Sequence, residues 1–221
     1  MELKSYVPMW FRYRLMDIRG RGVYSHFADE FRCIFIHIPK TAGTSLSQTL
    51  FGRDSRHIPY IEYERANPRK FRQYFKFAFV RNPWDRLVST YFFLKKGGLN
   101  EVDRRWGEQN LRDYASFDTF VRGWVSDENI QTWVHFLPQH HFICDESLRL
   151  KVDFVGHMET MGADFAYVAT RLRCERVLAT ANRGDHRHYS ECYSPETRDI
   201  VGRVYGDDIR LFGYDFQGPD K

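Results

Sequence analysis

The 221-residue sequence has no run of apolar residues approaching the roughly 18 that cross a bilayer, so it offers no membrane-spanning helix. Residues 1–21 set Trp10, Phe11 and Leu15 among Arg12, Arg14, Arg19 and Arg21, without the unbroken apolar segment of a signal peptide. A cytoplasmic location is the expectation that follows. Cysteine is scarce: Cys33, Cys144, Cys174 and Cys192 are widely spaced, with neither a CxxC pair nor a disulfide framework, and free thiols are expected. Repeats, low-complexity tracts and Pro/Ser-rich linkers are also missing. The expectation is one domain over residues 1–221, with residues 1–30 as an N-terminal arm packed on it or extending from it. Charge of one sign is nearly balanced. A formal net charge of +4 suits a phosphorylated or acidic ligand and is too small to argue for nucleic acid.

Aromatic residues are abundant, with 19 Phe and 13 Tyr, so the chain can bury a core and is not disordered. Arg32 to Ile38 is β-branched and apolar and stops at Pro39, which predicts a buried strand. Thr41 to Ser45 is small and turn-like, and Ser45 to Leu50 opens a helix. Phe75 to Val80 predicts a second buried strand. Asn82 then reads as an N-cap, Pro83 as the first helical residue and Asp85 as a capping carboxylate, and Gly97-Gly98 closes the helix. Asn100 to Arg112 is polar and reads as a surface loop. Further helices are expected over Phe117 to Val125, Asp164 to Leu172 and Glu196 to Tyr205, with a third strand over Lys151 to Gly156. Alternating strands and helices predict an α/β, three-layer, P-loop-like fold: a central, mostly parallel sheet flanked by helices.

The most informative stretch is Ile36-His37-Ile38-Pro39-Lys40-Thr41-Ala42-Gly43-Thr44-Ser45. A strand feeding a small-residue turn and then a helix start makes an anion site, because backbone N–H groups and the helix dipole both favour negative charge. Gly43 allows close backbone approach, Thr44 and Ser45 add hydroxyls, and Lys40 adds a mobile cation. The triphosphatase pattern GxxxxGK[ST] is not met, since Lys40 precedes Gly43. A glycine-containing turn with a surface lysine is the plainer alternative. Arg81 ends the second strand and Ser89 lies two turns into the next helix; together they can bind one phosphate. The plainer alternative there is an Arg81–Asp85 ion pair.

The segments IFIHIPKTAGTSL and FAFVRNPWDRLVSTY together resemble the two cofactor-binding motifs of the sulfotransferase superfamily. They are most similar to the branch of chondroitin and heparan 2-O carbohydrate sulfotransferases and to their bacterial family 2 relatives. VDFVGHMET and the stretch from Asn182 to Phe216 extend the resemblance over most of the chain from Cys33 onward. It implies 3′-phosphoadenosine 5′-phosphosulfate (PAPS) as sulfuryl donor. Lys40, Thr41, Gly43, Thr44 and Ser45 would hold the 5′ phosphosulfate, Arg81 and Ser89 the 3′-phosphate, and Arg187 would add a further phosphate contact. It also implies a hydroxyl acceptor on a glycan or glycoconjugate.

In-line sulfuryl transfer needs charge support on the leaving phosphate, for which Lys40 is the candidate, and a base for the acceptor hydroxyl. No metal is chemically required if lysine and backbone donors supply the positive field. The family's glycan enzymes carry a catalytic histidine between the two motifs, in a stretch beginning His-Val-Ser. His57-Ile58-Pro59-Tyr60 departs from it after the histidine, and the resemblance implies His57 as base, with His37 and His135 next in line. His135, His140, His141 and Cys144 could suggest zinc, but Pro138 interrupts the spacing. His135 and Gln139 could line an acceptor cleft. Between the motifs, Arg53, Arg56, Arg65, Arg69, Lys70, Arg72 and Lys76 form either a solvated face or a rim for an acidic glycan. Trp106, Trp124 and Trp133 could stack on sugars or belong to the core. Two rival functions stay open: an ATP-dependent kinase or nucleotide hydrolase on a related fold, and a non-catalytic module that binds PAPS or its desulfated product, PAP.

Overall fold

This computed structural model describes residues 9–19, 21–25, 27–178 and 188–217. In chain order the helices are α1 (Met9–Ile18), α2 (Ala28–Phe31), α3 (Gly43–Phe51), α4 (Tyr60–Ala66), α5 (Pro68–Gln73), α6 (Pro83–Lys95), α7 (Glu101–Asn110), α8 (Phe117–Trp124), α9 (His140–Ile143), α10 (Met161–Arg171), α11 (Pro195–Val204) and α12 (Gly206–Phe212). The strands are β1 (Cys33–Ile36), β2 (Phe75–Val80) and β3 (Phe154–His157). A parallel sheet flanked by helices is the expected α/β arrangement. The described chain divides into two compact units, one made of Met1–Ile38, Ala42–Phe79 and His141–Ala179, the other of Pro39–Thr41, Val80–His140 and Thr180–Lys221.

The first unit holds the sheet, in the order β1-β2-β3, with β1 and β2 parallel and in register from Cys33 opposite Phe75 to Ile36 opposite Ala78. Both faces of β1 are buried, which explains its unbroken apolar run. Phenylalanines fill the core: Phe27 stacks on Phe51 at 4.1 Å and Phe35 on Phe77 at 5.0 Å between ring centres. Each such ring, fully buried, contributes about 1.5–3 kcal/mol. A Cβ at Gly156 would come within 2.6 Å of the Phe79 ring, so glycine is what lets β3 lie close to β2. Asp17 and Tyr24 are tied down here. Asp17 accepts from Asn67 Nδ2 at 3.0 Å and pairs with Lys70 at 3.1 Å, and the Tyr24 hydroxyl donates to the Tyr63 carbonyl at 2.9 Å.

The second unit is helical. From the sequence, Leu87, Val88, Tyr91, Phe92 and Leu94 are the expected apolar face of α6; Leu87, Val88, Tyr91 and Leu94 are buried, joined by Trp84, and pack with Phe120, Val121 and Trp124 of α8 and with Val201 and Val204 of α11, whereas Phe92 is exposed. Asn82 caps α6 by accepting from the Trp84 N–H, and Pro83 is its first residue. Asp85 does not cap. It pairs with Arg81 at 2.8 Å instead. The segment read as a surface loop, Asn100 to Arg112, is the helix α7. Asn100 caps it by accepting from the N–H groups of Val102 and Asp103, and Trp106 and Asp103 turn inward. Trp106 and Trp124 meet edge to face at 5.5 Å in the core, which removes both as exposed sugar platforms.

Candidate active site

The first motif folds into an anion-ready turn. β1 ends at Ile36, and the chain passes Pro39 into Lys40 at φ 69° and Ala42 at φ 59°, two left-handed residues flanking Thr41. Such turns aim successive N–H groups into a concavity. Ala42 is the N-cap of α3 and gives it no side-chain cap, and the first helical bond is from Leu46 N to Ala42 O. The N–H groups of Gly43, Thr44 and Ser45 therefore precede the helix's own hydrogen bonding, at the positive end of its dipole. Thr44 and Ser45 are exposed on this first turn, whereas Thr41 has no exposed surface and offers a ligand no hydroxyl.

Within the first unit this turn meets two histidines. A Cβ on Gly43 would fall 2.0 Å from His37 Cδ2, so the imidazole occupies the space a side chain would take. His37 Nδ1 lies 2.8 Å from Ser55 Oγ, and the His37 and His57 rings meet edge to face at 4.2 Å. His57 is half-buried, and its Nδ1 lies 2.9 Å from the His37 carbonyl oxygen. A carbonyl can only accept, so Nδ1 carries the hydrogen and Nε2 is the basic nitrogen of the neutral ring. That is the tautomer a general base needs. The sequence placed His57 between the motifs; it did not show that His37 orients it.

Within the second unit Lys40 and Arg81 come together. Arg81 Nη1 donates to the Lys40 carbonyl at 3.2 Å while its Nε donates to Asp85 at 2.8 Å. The Lys40 ammonium sits 3.9 Å from the centre of the Phe93 ring. Burial, with Arg81 adding to it, lowers the Lys40 pKa from its ordinary 10.5 to about 8, and Asp103 partly opposes this. The Arg81–Asp85 ion pair exists, yet it leaves the Arg81 side chain 15% exposed at the end of β2. Ser89 is part-exposed one helical turn beyond Asp85 on the same face of α6.

Several residues hold this arrangement in roles the sequence did not signal. Arg86 is fully buried and donates to the carbonyls of Pro39, His135 and Leu137, which fixes the entry to the Lys40 turn. Burial lowers its pKa from the usual arginine value. Gln139, also fully buried, accepts from Arg81 N at 2.9 Å and donates to Arg81 O at 2.8 Å, a two-way clamp on that backbone. Asp208 in turn accepts from the N–H groups of Gln139 and His140 and lies 2.7 Å from His140 Nδ1. Gln139 is thus a pin rather than a lining residue, and its spacing from Pro138 hints at nothing of the kind. His135 is buried, with Nε2 3.1 Å from Asp103 Oδ1. Among the described residues no three His, Cys, Asp or Glu side chains group as metal ligands, and all four cysteines are free thiols. Arg187 lies outside the described residues.

The family model described as Sulfotransferase family matches residues 25–215. The chain belongs to the sulfotransferase family. The matched span contains both motifs and every candidate residue named above. Among curated relatives of this family member, carbohydrate sulfotransferase 14 of Homo sapiens is 27% identical over 225 residues, covering 85% of this chain and 59% of the relative. The Mus musculus protein of the same name is 26% identical with the same coverage, and that of Danio rerio is 25% identical over 84% of this chain and 60% of its own length. The chain thus spans about three fifths of the length of these curated relatives. No solved structure matches it.

Proposed function

We propose that this sulfotransferase-family chain moves a sulfuryl group from PAPS to a hydroxyl on a carbohydrate. The observation that carries the reading is the placement of two cations, Lys40 on the turn after β1 and Arg81 at the end of β2, with the lysine's proton already loosened by burial and by its neighbour. Like charges held this way are relieved by an anion. The uncapped first turn of α3 fits the same kind of group. The names of the relatives support a carbohydrate acceptor.

In this reading Lys40 and the N–H groups of Gly43, Thr44 and Ser45 hold the 5′ phosphosulfate, and Arg81 with Ser89 holds the 3′-phosphate. PAPS, when bound, supplies the sulfuryl group. Lys40 stays protonated once an anion is beside it and offsets charge at the leaving phosphate oxygen; such a donor is worth about 10²–10³ in rate. Nε2 of His57 takes the acceptor's proton while Nδ1 stays bonded to the His37 carbonyl, a contribution of about 10²–10⁴. The test is calorimetry with PAP and with ATP–Mg²⁺, followed by transfer of labelled sulfate from PAPS to a panel of glycans. The reading expects PAP to bind and at least one glycan to be labelled. Tight ATP–Mg²⁺ binding without PAP binding would replace it with a kinase or nucleotide hydrolase, and PAP binding with no labelled acceptor would favour a binding module.

A further inference from the structure

A second basic feature lies in the first unit, at the sheet edge opposite the Gly43 turn. A cavity of about 880 Å³ is lined there by Arg32, which directly precedes β1, by Tyr74 and Phe75 at the start of β2, and by Asp153, which directly precedes β3. Arg72 from the end of α5, and Arg171 and Arg173 from the end of α10, complete it. Four arginines thus line it beside one acidic residue, Asp153, whose Oδ2 lies 2.8 Å from Lys76 Nζ and accepts from Lys76 N at 2.8 Å. None of the four arginines has a carboxylate partner among the described residues.

The cavity is also aromatic. Arg32 lies over the Tyr74 ring at 5.8 Å and Arg171 over the Phe75 ring at 5.6 Å. Stacked in this way, a guanidinium keeps its in-plane N–H donors for a ligand. Tyr167 stands 51% exposed in the same lining, backed by Phe154 at 4.5 Å. Two of the arginines occupy helix-ending positions that favour glycine: Arg32 at φ 51° and Arg173 at φ 55°. Charge to be neutralised in a bidentate way, next to flat apolar rings, matches one ligand chemistry well. Sulfate or carboxylate groups fit the arginine forks, and the C–H faces of pyranose rings fit the tyrosines.

We propose that this cavity is an accessory site for an acidic oligosaccharide, holding a sulfated or uronate-bearing stretch of a glycan on the far edge of the sheet from the Gly43 turn. The proposal deepens the carbohydrate reading above and rests on it for the choice of ligand. Its test is calorimetric titration of the full chain with a chondroitin sulfate hexasaccharide, for wild type and for the double variant Arg72→Ala/Arg171→Ala, with PAP titrated into both. Arg32 and Arg173 are left in place because substitution would also change their left-handed backbone. The expected result is a loss of about 100-fold in hexasaccharide affinity with PAP affinity unchanged, the size of two charged hydrogen bonds. Equal hexasaccharide affinity in both proteins, or no binding by wild type, overturns the site. Displacement of the hexasaccharide by a single-stranded oligonucleotide of equal charge at lower concentration overturns the saccharide assignment in favour of nucleic acid. Hexasaccharide binding without PAP binding leaves the site standing and sinks the PAPS reading instead.

Discussion

Lys40 is the group through which ligand binding should be felt as a proton. Its pKa in the unliganded protein is lowered to about 8, first by burial and then by Arg81. A phosphate beside it favours the charged form and returns the pKa towards or above its ordinary 10.5. At pH 8 the free protein carries about half a proton on Lys40, so binding PAP takes up about half a proton; at pH 9 the uptake approaches one. The phosphates contribute little there, since their second pKa is about 6 and they are almost fully ionised by pH 8. Calorimetry at pH 8 in two buffers of different ionisation enthalpy reads the uptake directly. The affinity should fall as pH rises through 8, steepening to about tenfold per pH unit above pH 9. Lys40→Met should abolish the buffer dependence, and Lys40→Arg should keep charge without uptake. The same shift sets a stability trend. The folded pKa lies below the unfolded one, so the unfolded chain binds more protons between pH 8 and 10.5, and wild type gains stability relative to Lys40→Met as pH rises through that window. The full difference is about 3 kcal/mol, present as a cost at all pH values below 8. Zero uptake at pH 8, or equal uptake in Lys40→Met, refutes the reasoning.

Other outcomes follow from the same geometry. Arg81→Ala should weaken PAP binding by about 10–100-fold, the worth of a charged hydrogen bond to phosphate, and an unchanged dissociation constant would remove Arg81 from the site. His57→Ala should leave PAP affinity intact and lower transfer by about 10²–10⁴, measured as labelled product; normal turnover would move the base to His37 or His135. Gly43→Ala drives a methyl to within 2.0 Å of the His37 ring, so thermal melting should drop by the equivalent of about 1–3 kcal/mol, and an unaltered melting temperature would contradict the close packing described.

The two strand–turn–helix units were legible because their signals are local. Five consecutive buried residues, Lys76 to Val80, follow Phe75 in β2, and Asn82-Pro83 stops it and starts α6. α3 begins at Gly43, two residues before the expected Ser45, because Ala42 turns left-handed and caps it through its backbone alone. β3 begins at Phe154 rather than Lys151, whose N–H instead bonds the Ile143 carbonyl. α7 was missed for a different reason. Its inward face consists of one tryptophan and a buried aspartate, so polarity concealed a helix that Asn100 caps in the ordinary way. What stayed hidden at the candidate site depends on partners distant in sequence. Nothing local distinguishes the buried Arg86 from the exposed arginines, ties Gln139 to Arg81 58 residues away, or folds the His37 ring under Gly43.

The central claim is that Lys40 and Arg81 grip a 3′,5′-bisphosphorylated adenosine. The most direct measurement is a competition titration of wild type and Arg81→Ala with PAP against ATP–Mg²⁺. The account predicts that PAP binds wild type at least about tenfold more tightly than ATP–Mg²⁺, and that Arg81→Ala erases most of this preference. ATP–Mg²⁺ binding more tightly than PAP, or a PAP preference untouched by Arg81→Ala, contradicts it.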